Sequence, residues 1–274
     1  MGGVGRNYAL RESASLFLAR VSRCAAMTQF PELKEQAVVI TGGANGIGAA
    51  TVRAFHRQGA RVFFCDKDTE SGAKLAGELG ANVLFTPVDL MSEHEILAWT
   101  KTIKTSAKVI HALVNNAAWD PRIPFLETTT QQWDDLFALN VRAYFLMARE
   151  CAPAMTRGSS IMNFSSVTFY NTPPQMVAYV ATKGAVIGFT RCLAREIGPR
   201  GVRVNCISPG WVFTERQLRD YLTPESKKLI EERQCVPEYI QPSEIANVVL
   251  FLASDLSAAI TGQEILADRG WEHS

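Results

Sequence analysis

Along this chain of 274 residues, short continuous apolar runs alternate with longer stretches in which apolar residues recur every three or four positions. Runs of the first kind suit strands buried on both faces, and stretches of the second kind suit helices lying on such a sheet. Strands are expected at 37–41, 61–65, 82–87, 109–114, 160–164, 203–207 and 264–267. Helices are expected at about 46–58, 69–79, 92–105, 130–156, 177–198, 224–233 and 243–254. The alternation predicts an α/β fold: a doubly wound parallel sheet of about seven strands with helices on both faces. Right-handed crossovers then bring the carboxyl ends of all strands to one edge, where the residues that follow them converge.

Composition narrows the picture. Hydrophobic residues make up 47% of the chain, enough for a sizeable core, and no linker-like tract or repeat interrupts it, so residues 27–274 are read as a single domain. Residues 1–26 differ, with Arg6, Arg11, Arg20 and Arg23 against Glu12 and serines between them. They read as an N-terminal extension outside the fold, upstream of a start at Met27, or alternatively as an arginine-rich transit sequence. With 28 basic and 27 acidic residues there is no field to gather nucleic acid or an anionic membrane. No apolar stretch reaches the length that spans a bilayer. Six scattered cysteines without a Cys-x-x-Cys pair indicate a reducing compartment, hence a cytoplasmic location, and four histidines without ligand spacing give no metal site.

Candidate chemistry begins at Thr41-Gly42-Gly43-Ala44-Asn45-Gly46-Ile47-Gly48, directly after the first apolar run. A strand feeding a glycine-rich turn that opens a helix is suited to a dinucleotide pyrophosphate, because backbone can approach the phosphates and the helix start offers free N–H groups. Asp66 closes the second apolar run 18 residues past Gly48, where a carboxylate can accept hydrogen bonds from ribose hydroxyls. It repels a 2′-phosphate, so NAD is favoured over NADP, although neighbouring Lys67 works in the opposite direction.

Tyr179 and Lys183 stand four residues apart on one helix face, so a phenol and an ammonium reach the same small volume. The cation is expected to lower the phenol's pKa and let it move a proton near neutral pH. Ser166, 13 residues earlier at a strand end, offers a hydroxyl to a substrate oxygen, with Ser165 beside it as the alternative. Asn140 falls inside a helical stretch, where a poor helix former invites a specific reason such as a held water or a kink. Asn115-Asn116-Ala117-Ala118 follows a strand with small residues that admit a flat ring.

With these motifs in this order, residues 33–270 resemble the short-chain dehydrogenase/reductase family, with its single-domain Rossmann fold. The resemblance also rests on Asp89-Leu90 and on Pro209-Gly210 through Thr214. It implies that Gly42, Asn45, Gly46, Ile47, Gly48, Asp66, Asp89, Leu90, Asn116, Ala117, Tyr179, Lys183, Pro209, Gly210, Val212 and Thr214 bind the cofactor. Within that set Asp89 would meet the adenine, Asn116 would lie by the nicotinamide side, and Val212 with Thr214 would hold the carboxamide. Asn140, Ser166, Tyr179 and Lys183 would be catalytic, Lys183 also binding the nicotinamide ribose and Asn140 supporting a proton relay through water. One departure is Ala118, where the family usually has glycine. A homotetramer is implied too, with helices 130–156 and 177–198 and the last strand in its contacts.

The resemblance is closer to the aldose 1-dehydrogenases of the family, on the residues 211–217, 221–225, 234–235 and 268–271. Trp119, Asp120, Arg122, Trp211, Arg216 and Gln217 follow strand ends, and aromatic faces with fork-shaped donors suit a polyol. Trp119, Ser166, Tyr179, Trp211 and Arg216 are therefore the expected substrate residues. The expected activity is oxidation of an aldose C1 hydroxyl to a lactone with NAD, Tyr179 acting as base. The alternative within enzymes is an NAD(P)-dependent dehydrogenase or reductase of another secondary alcohol or ketone, such as a sugar acid, polyol or 3-oxoacyl substrate. Outside enzymes it is a nucleotide-binding protein without catalysis, which would have no use for a proton-moving phenol.

Overall fold

In the computed structural model, which describes residues 28–272, the apolar runs become seven strands. They are β1 (Ala37–Thr41), β2 (Arg61–Asp66), β3 (Val83–Pro87), β4 (Ala112–Asn115), β5 (Ser160–Phe164), β6 (Arg203–Pro209) and β7 (Glu264–Ala267). All pair in parallel, in the order β3-β2-β1-β4-β5-β6-β7. The order runs outward in one direction from β1 to β3 and in the other from β4 to β7. A crevice therefore opens between β1 and β4, beyond their carboxyl ends. Register keeps those ends level: Thr41 pairs with Cys65 and with Asn115, Asn115 with Asn163, and Asn163 with Cys206.

The longer stretches form α1 (Gly46–Arg57), α2 (Thr69–Leu79), α3 (Glu93–Ser106), α4 (Thr130–Phe137), α5 (Ala143–Cys151), α6 (Thr168–Asn171), α7 (Val177–Ile197), α8 (Glu215–Asp220), α9 (Pro224–Arg233) and α10 (Pro242–Ala253). Helix α1 packs on α10, while α3 packs on α5 and α7 lies on β5 and β6. Strands β1, β4 and β5 are buried at every position, as expected of a sheet covered on both faces. Val39, Phe63, Leu113, Ile161 and Val204 of the sheet join Ile96 and Trp99 of α3, Leu146 and Met147 of α5, and Ala194 and Ile197 of α7 in one apolar cluster. Fully burying a side chain such as Leu113 contributes roughly 1.5–3 kcal/mol. From Glu32 onward the chain forms one unit. The reading of residues 1–26 as an extension or a transit sequence falls outside the described residues.

Three differences from the sequence pattern matter for the site. The stretch 130–156 is not one helix: α4 and α5 are separated by a π-helical turn at Ala138–Arg142, followed by a 3-10 turn at Ala152–Ala154. Two helices, α6 and α8, are too short to leave a periodic signal. Strand β4 begins at Ala112 instead of 109, because its ladder starts where Val38 and Ser160 lie opposite, and Val109 is exposed.

Candidate active site

The turn after β1 is built around atoms that leave no room for side chains. A Cβ on Gly48 would stand 1.8 Å from the carbonyl oxygen of Gly42, so only glycine lets the helix start fold under the turn. Gly42 has φ +67°, and a Cβ there would meet Ala117 Cα at 2.7 Å. Asn116 stitches the two strand ends across the crevice, its Nδ2 donating to the carbonyls of Thr41 at 3.1 Å and Gly42 at 2.9 Å. Thr41 Oγ1 accepts from the N–H of Asn116 at 3.0 Å and of Ala117 at 3.2 Å. Thr41, the first residue of the glycine-rich motif, thus belongs to the cradle through its hydroxyl. The Ala118 turn is accommodated without left-handed backbone, since its φ is not positive.

Asn45 occupies the position that caps α1, yet its side chain makes no cap; its Nδ2 instead donates to Asp68 Oδ2 at 2.8 Å. The first N–H groups of α1 are therefore left to face the cleft, where the positive end of the helix favours an anion. Asp66 accepts the Ala44 N–H at 3.0 Å and the Asp68 N–H at 3.1 Å, which holds its carboxylate at the end of β2. Asp68 caps α2 by accepting the Ser71 N–H at 3.0 Å, and these bonds hold its carboxyl below the usual range. Two carboxylates thus stand beside the turn, Asp66 and Asp68, of which the sequence pattern pointed only to Asp66. This cradle, with an uncapped helix start and an anchored Asp66, fits a dinucleotide.

A cleft of about 1990 Å³ runs along this edge. It is lined by Gly42, Asn45, Gly46, Ile47, Gly48, Asp66, Asp89, Leu90, Asn116 and Ala117 on one side, and by Trp119, Ser166, Tyr179, Lys183, Pro209, Gly210, Trp211, Val212, Thr214 and Arg216 on the other. The volume exceeds the roughly 300–1,000 Å³ of an ordinary small-molecule site and leaves room for two ligands side by side. Asn140 alone among the expected residues lies behind the wall. Its Oδ1 accepts the Trp119 N–H at 3.0 Å, and its Nδ2 donates to the Trp119 carbonyl at 3.0 Å and to Thr182 Oγ1 at 3.1 Å. The side chain is thus committed to positioning Trp119.

Strand β5 and helix α7 bring the hydroxyls together. Ser165 is buried and its Oγ donates to the Lys183 carbonyl at 2.9 Å, a structural bond. Ser166 instead lines the cleft with Tyr179, and its Oγ accepts the Thr168 N–H at 3.2 Å. The two adjacent serines therefore divide between scaffold and cleft. Lys183 is 1% exposed, and its Nζ donates to the Phe164 carbonyl at 2.8 Å and stands 5.4 Å from the centre of the Tyr179 ring. Burial brings its ammonium down to about 8, with Cys206 and Asp120 acting the other way.

The phenol of Tyr179 departs from expectation. Tyr179 is half-buried along the cleft, and the protein packed around its ring pushes its pKa up; the charge of Asp120 adds to the rise, while Ser166 and Arg216 oppose it. Desolvation by the surrounding chain outweighs the stabilisation that Lys183 was expected to supply. Beyond the tyrosine, Trp211 donates through Nε1 to Gln217 Oε1 at 3.0 Å and stacks with Phe213, which stacks on Tyr239. Arg216 donates to Asp120 at 2.5 Å, and Arg122 lies 4.0 Å over the Tyr221 ring. Thr214 caps α8 by accepting the Gln217 N–H at 3.3 Å; Thr214-Glu215-Arg216-Gln217 is a sequence-level signature of a helix start that could have located this element.

Known proteins share this arrangement. A family model described as enoyl-(acyl carrier protein) reductase matches residues 42–272. A probable galactose dehydrogenase of Rhizobium meliloti (strain 1021) is 41% identical over 249 residues, covering 89% of this chain and 97% of that protein. A D-xylose 1-dehydrogenase of Caulobacter vibrioides (strain NA1000 / CB15N) is 38% identical over 247 residues, covering 88% and 98%. The crystal structure of a short-chain dehydrogenase/reductase from Brucella melitensis, described as a glucose/ribitol dehydrogenase, superposes with a TM-score of 0.85 at 28% identity, over 90% of this chain and 100% of that one. A seven-stranded parallel sheet, a glycine cradle and a Ser-Tyr-Lys cluster on one cleft, together with these matches, make the chain a member of the short-chain dehydrogenase/reductase family and an oxidoreductase acting on CH–OH donors.

Proposed function

We propose that this protein oxidises the C1 hydroxyl of an aldose to the lactone with NAD, Tyr179 serving as the base. The observation that carries the reading is that Ser166, Tyr179 and Lys183 line the cleft that also holds the glycine cradle, with Lys183 Nζ 5.4 Å from the centre of the Tyr179 ring. A bound nicotinamide dinucleotide supplies the acceptor for the hydride that leaves the substrate carbon. The uncapped start of α1 would hold the pyrophosphate, and Asp66 the adenosine ribose hydroxyls. Asp89 and Leu90 would line the adenine site, and Val212 and Thr214 the nicotinamide end.

Ser166 Oγ would donate to the reacting oxygen and orient it toward the tyrosine. Tyr179 Oη would take the hydroxyl proton as the carbinol becomes a carbonyl. Lys183, when protonated, would favour the phenolate by its charge; its pKa of about 8 keeps that charge near neutral pH. Asn140 would act through Trp119, which its amide holds at both backbone atoms. The sugar as substrate is supported by two relatives named for galactose and D-xylose, and by the aromatic and charged side chains of Trp119, Trp211 and Arg216 beside the tyrosine. Preference for NAD over NADP is supported by the paired carboxylates of Asp66 and Asp68.

Tyr179→Phe is the direct test. Turnover of aldoses, followed by NADH absorbance, should fall by at least about 10²–10⁴-fold, the range of general base catalysis. NAD binding, measured by calorimetry, should change little; near-normal turnover in this variant refutes the assigned base. A panel of D-galactose, D-xylose, polyols and simple ketones identifies the substrate class, and a clear preference for a ketone or polyol favours the alternative reading.

We also infer a cytoplasmic homotetramer. Five described cysteines are free thiols. Trp133 of α4 and Phe145 of α5 expose 38% and 46% of their surfaces, and β7 is half-buried at the sheet edge, so helix faces and an edge strand are available to copies of the chain. No helix among the described residues is long and apolar enough to cross a membrane.

A further inference from the structure

Asp120 is an acidic side chain that lines the cleft with the candidate base and has no role in the cofactor cradle. It follows Trp119, whose N–H and carbonyl are both clamped by Asn140 at 3.0 Å, so the backbone that carries the carboxylate is held from behind. Oδ1 accepts Arg216 Nη2 at 2.5 Å from helix α8 on the far wall. Oδ2 takes no hydrogen bond among the described residues. Asp120 and Arg216 line the same cleft as Tyr179 and Lys183, and the Asp120 charge is felt at both.

As a purely structural latch, this pair has little to recommend it. The Arg216 side chain is 43% exposed, and an ion pair so open to water contributes roughly 0–1 kcal/mol. A negative charge beside a phenol that must ionise opposes the ionisation. A carboxylate kept there despite that handicap calls for a gain elsewhere, and a free acceptor lone pair on a preorganised arm supplies one. Neutral polyhydroxylated molecules present neighbouring O–H donors, which a carboxylate can accept together, while Arg216 can donate to their oxygens and Trp119 on the same cleft offers aromatic surface.

We propose that Asp120 is the specificity residue of this cleft, its carboxylate accepting hydrogen bonds from ring hydroxyls of the substrate other than the reacting one, with Arg216 as the donor opposite it. The inference rests on the sugar reading above and adds the group that tells a sugar from a simple alcohol. It makes Asp120 and Arg216 exchange partners, each giving up part of its bond to the other when the substrate hydroxyls enter.

The test is a cycle between side chain and substrate. Values of kcat/KM are measured for wild type, Asp120→Ala and Asp120→Asn with D-galactose and D-xylose, with the 2-, 3- and 4-deoxy forms of the better one, and with cyclohexanol. Asp120→Ala should lower kcat/KM for the full aldose on the order of 30-fold, the size of a hydrogen bond to a charged group, with most of the loss in KM. For the deoxy form lacking the contacted hydroxyl, and for cyclohexanol, the loss should stay below about 3-fold. Asp120→Asn keeps the shape and one acceptor, should show the same compression to a smaller degree, and decides the matter if the alanine variant does not fold. Equal losses on every substrate overturn the proposal and leave the sugar reading standing. A wild-type enzyme that turns over no aldose overturns the sugar reading and this inference with it.

Discussion

Lys183 shows what a buried ammonium costs the fold. Its ordinary pKa of 10.5 falls to about 8 because the ammonium is buried. Below pH 8 both folded and unfolded chains hold the proton, and folding bears the full penalty of burying the charge. Between 8 and 10.5 the unfolded chain binds a proton that the folded chain lacks, so this group makes stability rise with pH, by about 3 kcal/mol across the window. Lys183→Met should therefore be more stable than wild type at pH 7 and lose that rise, as read from denaturant unfolding at pH 7 and pH 10, while losing turnover. Asp66 and Asp68 allow a second expectation. Replacing Asp66 by serine leaves the Asp68 carboxylate beside the ribose site, so Asp66→Ser alone should admit NADP weakly. The double replacement by serine should bring the ratio of NADP to NAD kcat/KM up at least a further about 10-fold, since each removed carboxylate relieves a like-charge contact. Tyr179, Lys183 and Ser166 were legible in sequence because their chemistry depends on residue type and spacing. The choice of Ser166 over Ser165 as the cleft residue, and the upward shift of the Tyr179 phenol, depend on neighbours brought from β4, β5 and α8.

The π-helical turn at Ala138–Arg142 marks a place where local preference and tertiary need disagree. An asparagine inside an apolar helical stretch signals that something is unusual, and the structure supplies the partner: both backbone polar atoms of Trp119. Asn140→Ala would leave those atoms without side-chain partners, at a cost of about 1–3 kcal/mol. The expected result is a lower Tm together with a raised KM for the substrate, because Trp119 and Asp120 lose their support; unchanged KM would sever Asn140 from the substrate side of the cleft. The turn after β1 allows no comparable latitude. Gly48→Ala would set a methyl group 1.8 Å from the Gly42 carbonyl oxygen, so the start of α1 must move away from the turn. Weaker NAD binding by at least about 10-fold, with a stability loss of roughly 1–3 kcal/mol from overpacking, is expected from calorimetry and thermal unfolding. Short helices such as α6 and α8 were invisible to periodicity, since four or six residues complete too few turns to show an apolar face.

Seven strands ordered from β3 through β1 and β4 to β7 gather residues as far apart in sequence as Gly42 and Arg216 on one cleft. Phe145 on α5 and Trp133 on α4 leave apolar surface exposed that a second copy can cover. Phe145→Glu should lower the mass measured by light scattering if that face is an interface, and a mass equal to wild type would place the contact elsewhere. The sequence by itself determined the alternation of strand and helix, the α/β class, the glycine turn and the spacing that sets Tyr179 and Lys183 on one helix face. These follow from local rules, in which side-chain period, turn conformation and titratable groups are written residue by residue. Only the tertiary structure decided where β4 starts, which serine faces the cleft, what Asn140 holds, and that Asp120 meets Arg216. Such pairings join residues from separate elements, and their geometry is set by sheet order and packing, quantities that no single stretch of chain contains.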